Sequence, residues 1–391
     1  MQVDPHDTPV HLGFGLELQP SDLYRLKSHY LPLGKIGGKP AWLNPQHLPK
    51  PDDLLCKTCQ KPCAFLAQIT ANSPQDPEYS FHRFLYFFVC RNPTCSKIND
   101  SSNLIALRCG LPRKNAFFGH DGPIDPDFDG DVEDPHFDAK IYAKCCAICG
   151  CSASKKCAKC QAVWYCSKEH QAIDWKIHKT TCCAPEIAEN PAENEPKNPA
   201  NPFVFKEFGM EIDQEYVPSN LFDGISDDEE DEEGEDSDDE TEEDRQARMK
   251  EFNKFVQQNK DKNVDLTKED LDQAVAEQKK DQDFEKFNRL VSLNPDQIIR
   301  YKRNGEPLKA TSKSGNLAEN QPEEIACCDL CGKPRRFELQ LMPHLLSLID
   351  VDAIGQSIDW ASVYIYTCSA TCQIPNDGYA KEFVTKQDFI D

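Results

Sequence analysis

The chain has no apolar run approaching the ~20 residues that a membrane-spanning helix requires, and no apolar segment follows Met1. Both absences point away from membranes and the secretory route, so the expected compartments are cytoplasm and nucleus. The short motifs of phosphate and hydrolytic chemistry are missing too: the 391 residues contain no Gly-rich phosphate loop, no nucleophile elbow and no HExxH. An enzyme is therefore not expected. One stretch lacks any base: residues 227–244, DDEEDEEGEDSDDETEED, hold 15 acidic groups. Such a block repels itself, has almost no apolar surface to bury, and is expected to be disordered. It is either a solvating linker or a binder of basic partners. The rest of the chain, with 44 basic and 52 acidic residues, is still mildly acidic. That balance suits phosphate neutralisation poorly, so direct nucleic-acid binding is not expected.

Cysteine, by contrast, is in excess, with 20 residues. In a reducing compartment disulfides are rare, and thiolate–metal sites, with zinc as the ion, are the better reading. The densest spacing lies in CAICGCSASKKCAKCQAVWYCSKEHQAIDWKIHKTTC, which contains Cys146-x2-Cys149, Cys157-x2-Cys160, Cys166-x3-His170 and His178-x3-Cys182. Eight ligands within 37 residues suffice for two tetrahedral sites. A segment this short and polar has almost no core, so metal must supply its folding energy. Its last stretch is helical in pattern and places His170, Asp174 and His178 on one face. Spacing alone leaves open whether the ligand pairs join in sequence or interleave.

Elsewhere one motif occurs twice. CKTCQKPCAFLAQ at 56–68 and CDLCGKPRRFELQ at 328–340 share the pattern C-x2-C-x-K-P-x2-F-x2-Q. Each copy runs into a strand-like stretch, and a second apolar run (FHRFLYFFVC or VYIYTC) delivers another pair, Cys90-x4-Cys95 or Cys368-x3-Cys372. If the strands pair antiparallel, four sulfurs arrive at one end of each hairpin. Buried free thiols are the competing reading, but the shared downstream residues favour two zinc staples. One would use Cys56, Cys59, Cys90 and Cys95, the other Cys328, Cys331, Cys368 and Cys372. The expected cofactor is then Zn2+, four per chain. Cys63, Cys109, Cys145, Cys151, Cys183 and Cys327 fall outside these sets.

The expected fold class is α+β. Residues 1–140 form an N-terminal β-rich zinc-binding half, which opens on a GGKPAWL turn with Trp42 as a large apolar anchor. Residues 145–183 are the inserted finger, and 184–245 a disordered acidic linker with one amphipathic island, FVFKEFGMEI. Residues 246–293 read as helical, with Phe252, Phe255, Leu271, Val275, Phe284, Phe287 and Leu290 on one face. Residues 294–391 form a C-terminal zinc-binding half. Ser226, Ser237 and Thr241 each directly precede an acidic cluster, the context that an acidophilic kinase takes.

The eight-ligand block resembles the MYND zinc finger. That resemblance implies interleaved ligation: Cys146, Cys149, Cys166 and His170 on one zinc, Cys157, Cys160, His178 and Cys182 on the other. The flanking stretches GGKPAWL, LPRKN, LNPDQIIRYKRNGEPL, FELQLMPHLL, SIDWASVYIYTC and GYAKEFVTKQDF make the chain similar to the programmed cell death protein 2 family over nearly its whole length. The resemblance implies a duplicated β-rich platform with the finger and acidic linker inserted between its halves. It also implies a non-enzymatic zinc protein that escorts a newly made, basic small-subunit ribosomal protein in ribosome biogenesis, with links to proliferation and programmed cell death. A transcriptional adaptor is the second expectation. MYND fingers hold proline-containing peptides, such as those of corepressors, beside their helix, and Gln171 and Trp175 occupy the matching positions. Trp175 has an alternative role in packing the small finger core. A SET-type methyltransferase is excluded, since the chain has no Asn-His-Ser/Cys tripeptide.

Overall fold

Strand β4 (His82–Val89) reads HRFLYFFV, and seven of its eight residues are buried. Alternate side chains of a strand point to opposite faces, so both faces of β4 must be covered. Leu85, Phe87 and Val89 join one apolar cluster, and Phe84, Tyr86 and Phe88 join another. The first cluster draws residues from strands all around a closed ten-stranded barrel and is its interior. The second lies outside β3–β5, beneath a covering layer.

The computed structural model describes residues 9–27, 34–120, 139–182, 201–223, 225, 281–312, 325–351 and 357–389. The other strands are β1 (His11–Leu16), β2 (Gly34–Ile36), β3 (Ala64–Thr70), β5 (Leu104–Leu111), the short β6 (Lys155–Lys156) and β7 (Trp164–Tyr165), β8 (Phe208–Gln214), β9 (Ile299–Tyr301), β10 (Arg335–Leu341), β11 (Ser362–Cys368) and β12 (Tyr379–Gln387). The described α-helices are α1 (Ala139–Tyr142), α2 (Lys168–Thr181), α3 (Gln282–Leu293) and α4 (His344–Leu348), beside short 3-10 turns. Around the barrel the order is β1-β8-β2-β3-β4-β5-β12-β11-β10-β9, closing on β1. The chain is thus β-rich with few helices.

The two copies of the repeated motif take matched places. Ile36 pairs with Ala67 as Tyr301 pairs with Leu339, and a bulge falls between Phe65 and Ala67 as between Phe337 and Leu339. The repeated glutamine does the same work in each copy. Gln68 donates to Ala41 O (2.9 Å) and accepts from Ala41 N (2.8 Å); Gln340 does so with Leu308 (3.1 and 2.8 Å). Tyr86 O–H donates to Ala41 O and accepts from Leu43 N, while Tyr364 repeats this with Leu308 O and Ala310 N. Each strap entering the sheet is thereby held by paired side-chain-to-backbone bonds that satisfy the amides and carbonyls of Ala41 and Leu308.

The first strands are exchanged. β1 pairs with β8 and β9 rather than with β2, and β8 pairs with β1 and β2. The halves are therefore arcs of one barrel and do not stand as separate platforms. The assignment of 184–245 to a disordered linker needs correction for residues 201–223. The island FVFKEFGMEI supplies β8, whose Phe208 and Met210 fill the interior; closing a barrel rewards even a short amphipathic strand. Residues 184–200 and 226–245, including Ser226, Ser237 and Thr241, lie outside the described residues, as do 246–280 of the helical segment.

The barrel's two mouths differ. At one, Leu345 and Leu346 of α4 and Trp360 plug the interior. At the other, the interior carries charge. Arg83 meets Glu338 (2.5 and 2.7 Å), and Glu382 bridges Arg108 (2.7 Å) and Arg335 (3.0 Å). These pairs join residues of β4 and β5 to residues of β10 and β12, stitching the two arcs through the core.

Candidate metal centres and the docked finger

Four knuckles share one local turn. In each C-x2-C pair the residue after the second Cys has positive φ: Gln60 (57°), Gly150 (72°), Gln161 (56°) and Gly332 (68°). Its N–H donates to the carbonyl of the first Cys, at 2.9, 2.9, 2.9 and 2.8 Å. The turn aims both thiols at one point. Glycine adopts this conformation freely, whereas the two glutamines hold it at a cost of about 1–2 kcal/mol each.

The remaining ligands come from strand ends and one helix. β3 and β4 pair antiparallel with Ala64 opposite Val89, so Cys90 arrives beside the first knuckle, and Cys59 Sγ lies 3.6 Å from Cys90 Sγ. β10 and β11 pair with Arg335 opposite Cys368, and Cys331 Sγ lies 3.5 Å from Cys368 Sγ. Because β5 and β12 run antiparallel with Cys109 opposite Tyr379, these two clusters sit at opposite mouths. In the finger, β7 delivers Cys166, and Ser167 caps α2 by accepting from His170 N (3.1 Å). One turn of helix then carries His170 Nδ1 to 3.0 Å from Cys166 Sγ, and two further turns carry His178 Nε2 to 3.4 Å from Cys160 Sγ.

The ligand atoms form four groups, each within 4.8 Å: Cys56, Cys59, Cys90, Cys95; Cys146, Cys149, Cys166, His170; Cys157, Cys160, His178, Cys182; and Cys328, Cys331, Cys368, Cys372. The finger's two groups are interleaved. Tetrahedral zinc with bonds of about 2.3 Å sets sulfurs about 3.8 Å apart. The closest sulfur pairs here span 3.5 to 3.9 Å, which fits zinc and excludes a disulfide. Backbone donation from Cys160, with His178, brings Cys157 down to about 6, so its thiolate is the available form.

The six extra cysteines join none of these groups among the described residues. Cys63 and Cys109 are buried, and burial pushes both thiols up; Cys183 lies outside the described residues. On α2, Gln171 is half-buried, while Trp175 is 42% exposed with its ring 5.9 Å from that of His178. Asp174, on the ligand face, accepts from Tyr165 O–H at 2.6 Å.

Sequence reasoning did not find what holds the finger to the barrel. Lys39 Nζ donates to Ala147 O (2.6 Å), Trp42 Nε1 to Gly150 O (2.9 Å) and Asn201 Nδ2 to Ile148 O (2.8 Å). Phe203 packs edge-on against His170, with centroids 4.0 Å apart. Trp42 itself stacks on Phe88 and lies tilted against Tyr86. The donors meet backbone carbonyls of the first finger knuckle, so no side-chain pattern announces the contact.

Residues 9–125 match the description "Programmed cell death protein 2, N-terminal domain", 281–388 match its "C-terminal putative domain", and 146–182 match "MYND finger". "Programmed cell death protein 2" of Bos taurus is 35% identical over 388 residues, covering 98% of this chain and 97% of that protein. The chain belongs to the programmed cell death protein 2 family. Within this family's wider range, "Programmed cell death protein 2-like" of Homo sapiens is 36% identical over 96 residues, 25% of each chain. A Schizosaccharomyces pombe protein named "Probable 20S rRNA accumulation protein 4" is 28% identical over 191 residues, 46% of this chain and 42% of that one. No solved structure matches the chain.

Proposed function

We propose that this family member is a non-enzymatic binding protein of ribosome biogenesis that escorts a newly made, basic small-subunit ribosomal protein in cytoplasm and nucleus. The observation that carries the reading is the name of the Schizosaccharomyces pombe relative, which concerns 20S rRNA accumulation. The net charge of -23 supports a basic client, because ribosomal proteins carry Lys/Arg surfaces that stay uncompensated until they meet rRNA. The four ligand groups are read as four structural zincs. Each has four protein ligands, which leaves no open position for hydrolytic chemistry. The matched straps and bulges are read as a duplicated platform, with the acidic run providing long-range attraction. The same reading includes links to proliferation and programmed cell death.

A second reading, a transcriptional adaptor, has one observation in its favour: Trp175 is exposed on α2 and not packed into the finger core. Gln171 and Trp175 would then flank a proline-containing peptide. Capture of the tagged full chain from translating cells, with mass spectrometry of what co-purifies, separates the two. One basic small-subunit protein, bound before rRNA, is expected. Recovery of corepressor components alone overturns the escort reading.

A further inference from the structure

The buried charges at the barrel's charged mouth do not end on one another. Arg108 of β5, 1% exposed, donates from Nε to Glu382 Oε1 (2.7 Å) and turns its other two nitrogens on a metal ligand. One donates to Cys372 O (3.2 Å) and the other to Cys372 Sγ (3.6 Å). Glu382 Oε2 in turn accepts from Cys368 N (3.2 Å) and from Arg335 Nε (3.0 Å). Arg335 then reaches the knuckle itself, donating to Cys327 O (2.5 Å) and Asp329 Oδ2 (3.1 Å) on either side of Cys328. One buried triad thus braces the ligands of the C-terminal centre from two directions.

A second path also starts in the N-terminal arc. Asp76, in the loop before β4, pairs with Arg303 (2.7 Å), which donates to Thr371 Oγ1 (2.5 Å) between Cys368 and Cys372. Thr371 holds φ at 42°, a left-handed conformation that a β-branched residue keeps only where its surroundings impose it. The N-terminal centre is built otherwise. There Cys90, the counterpart of Cys368, donates its N–H to Asn103 O (2.9 Å), a backbone bond that continues the β4–β5 pairing. At the C-terminal centre the β11–β12 register stops at Tyr366 opposite Phe383, and the Glu382 carboxylate takes the Cys368 amide instead.

We infer that the C-terminal centre is a metal-responsive clasp on the seam between the two arcs, with Arg108 as the positioning residue that couples its occupancy to β5. β5 and β12 are the strands that join the arcs there, and Arg108 reaches across from one to the other arc's ligand. Zinc's two positive charges against four thiolates leave such a centre net negative, and a guanidinium beside one sulfur stabilises that charge. Cys331, exposed, is where a chelator enters, while Arg108 holds Cys372 from the barrel side. Emptying the centre removes the fixed points on which Arg108 and Arg303 end and frees the loop that holds Thr371. The inference rests on the zinc reading of the ligand groups and adds that this one metal keeps the arcs closed.

The test follows zinc release from the full chain with the indicator pyridylazoresorcinol. Iodoacetamide labelling of freed thiols, read by peptide mass spectrometry, assigns each phase to its centre. Once the C-terminal zinc alone has left, hydrogen exchange is expected to rise about tenfold across β5 as well as β12. It should stay unchanged in β3 and reverse when zinc is returned. Arg108→Met is expected to speed the C-terminal release about tenfold and leave the finger's release as it was. Arg108→Lys, which keeps the charge but loses the fork, should fall between. Unchanged β5 exchange after that zinc has left, or C-terminal release at the unsubstituted rate in Arg108→Met, overturns the clasp. Should Arg108→Met fail to fold, the exchange measurement on the unsubstituted chain decides alone. A C-terminal centre that binds no zinc overturns the zinc reading and the clasp together; a bound zinc whose loss leaves β5 protected removes only the clasp.

Discussion

Arg83 of β4 and Glu338 of β10 form a two-point ion pair, 255 residues apart in sequence, with both side chains fully buried inside the barrel. Burial raises the Glu338 pKa, but the Arg83 charge and its hydrogen bonds outweigh that and bring it down to about 2 from an ordinary 4.5. A depressed carboxylate stabilises the fold above its unfolded pKa. That contribution fades as pH falls from about 4.5 through about 2, where Glu338 takes up its proton.

Removing Arg83 leaves Glu338 buried with only the Tyr301 and Thr367 hydroxyls and Arg303 at 3.9 Å beside it. Arg83→Met should cost about 3–5 kcal/mol, while Arg83→Met with Glu338→Leu should recover most of that loss. Denaturant titrations at pH 7 check the ordering, and the difference between Glu338→Gln and the unsubstituted chain should shrink on acidification toward pH 2. Equal stability of the single and double variants would remove the pair's role in joining the arcs.

The finger's attachment can be divided between a hydrogen bond and packing. Trp42→Phe keeps a ring over Phe88 but loses the Gly150 contact and should cost about 1 kcal/mol. Trp42→Ala also empties the stacked site and should cost about 3–5 kcal/mol. Limited proteolysis should then cut within 139–182 faster in the alanine variant than in the phenylalanine one.

Elemental analysis should return four zinc ions per chain. Release should not be uniform, because Cys331 is exposed and Cys372 half-buried, while the other three groups each keep at least three buried ligands. A chelator should therefore remove the C-terminal zinc first. Cys331→Ser should delete that fast phase and unfold the C-terminal hairpin, whereas Cys166→Ser should melt the finger alone.

Deleting residues 227–244 should slow association with a basic client and flatten its salt dependence, with little change in dissociation. Stopped-flow mixing at low and high salt measures both. An unchanged association rate, together with earlier aggregation, would mark the run as a solubiliser.

Local chemistry in this chain was legible before any fold was known. A C-x2-C pair closes its own turn, and α2 presents His170 and His178 two turns apart, so the ligand residues could be named from a few residues of context, whereas their grouping depended on the interleaved finger and on the strand pairing that delivers Cys90 and Cys368. The repeated Gln68 and Gln340 were visible as a pattern too, although their bonds to Ala41 and Leu308 were not. The barrel was decided elsewhere. Exchange of β1 and β8 between the arcs, the entry of FVFKEFGMEI as a strand, and the pairing of Arg83 with Glu338 all depend on partners far away in sequence. Periodicity names a strand's faces but not its neighbour, and a backbone carbonyl such as that of Gly150 carries no sequence signature. Metal spacing is thus written locally. Strand order, the finger's seat and the buried charges exist only once the whole sheet closes and every buried polar group must find its partner.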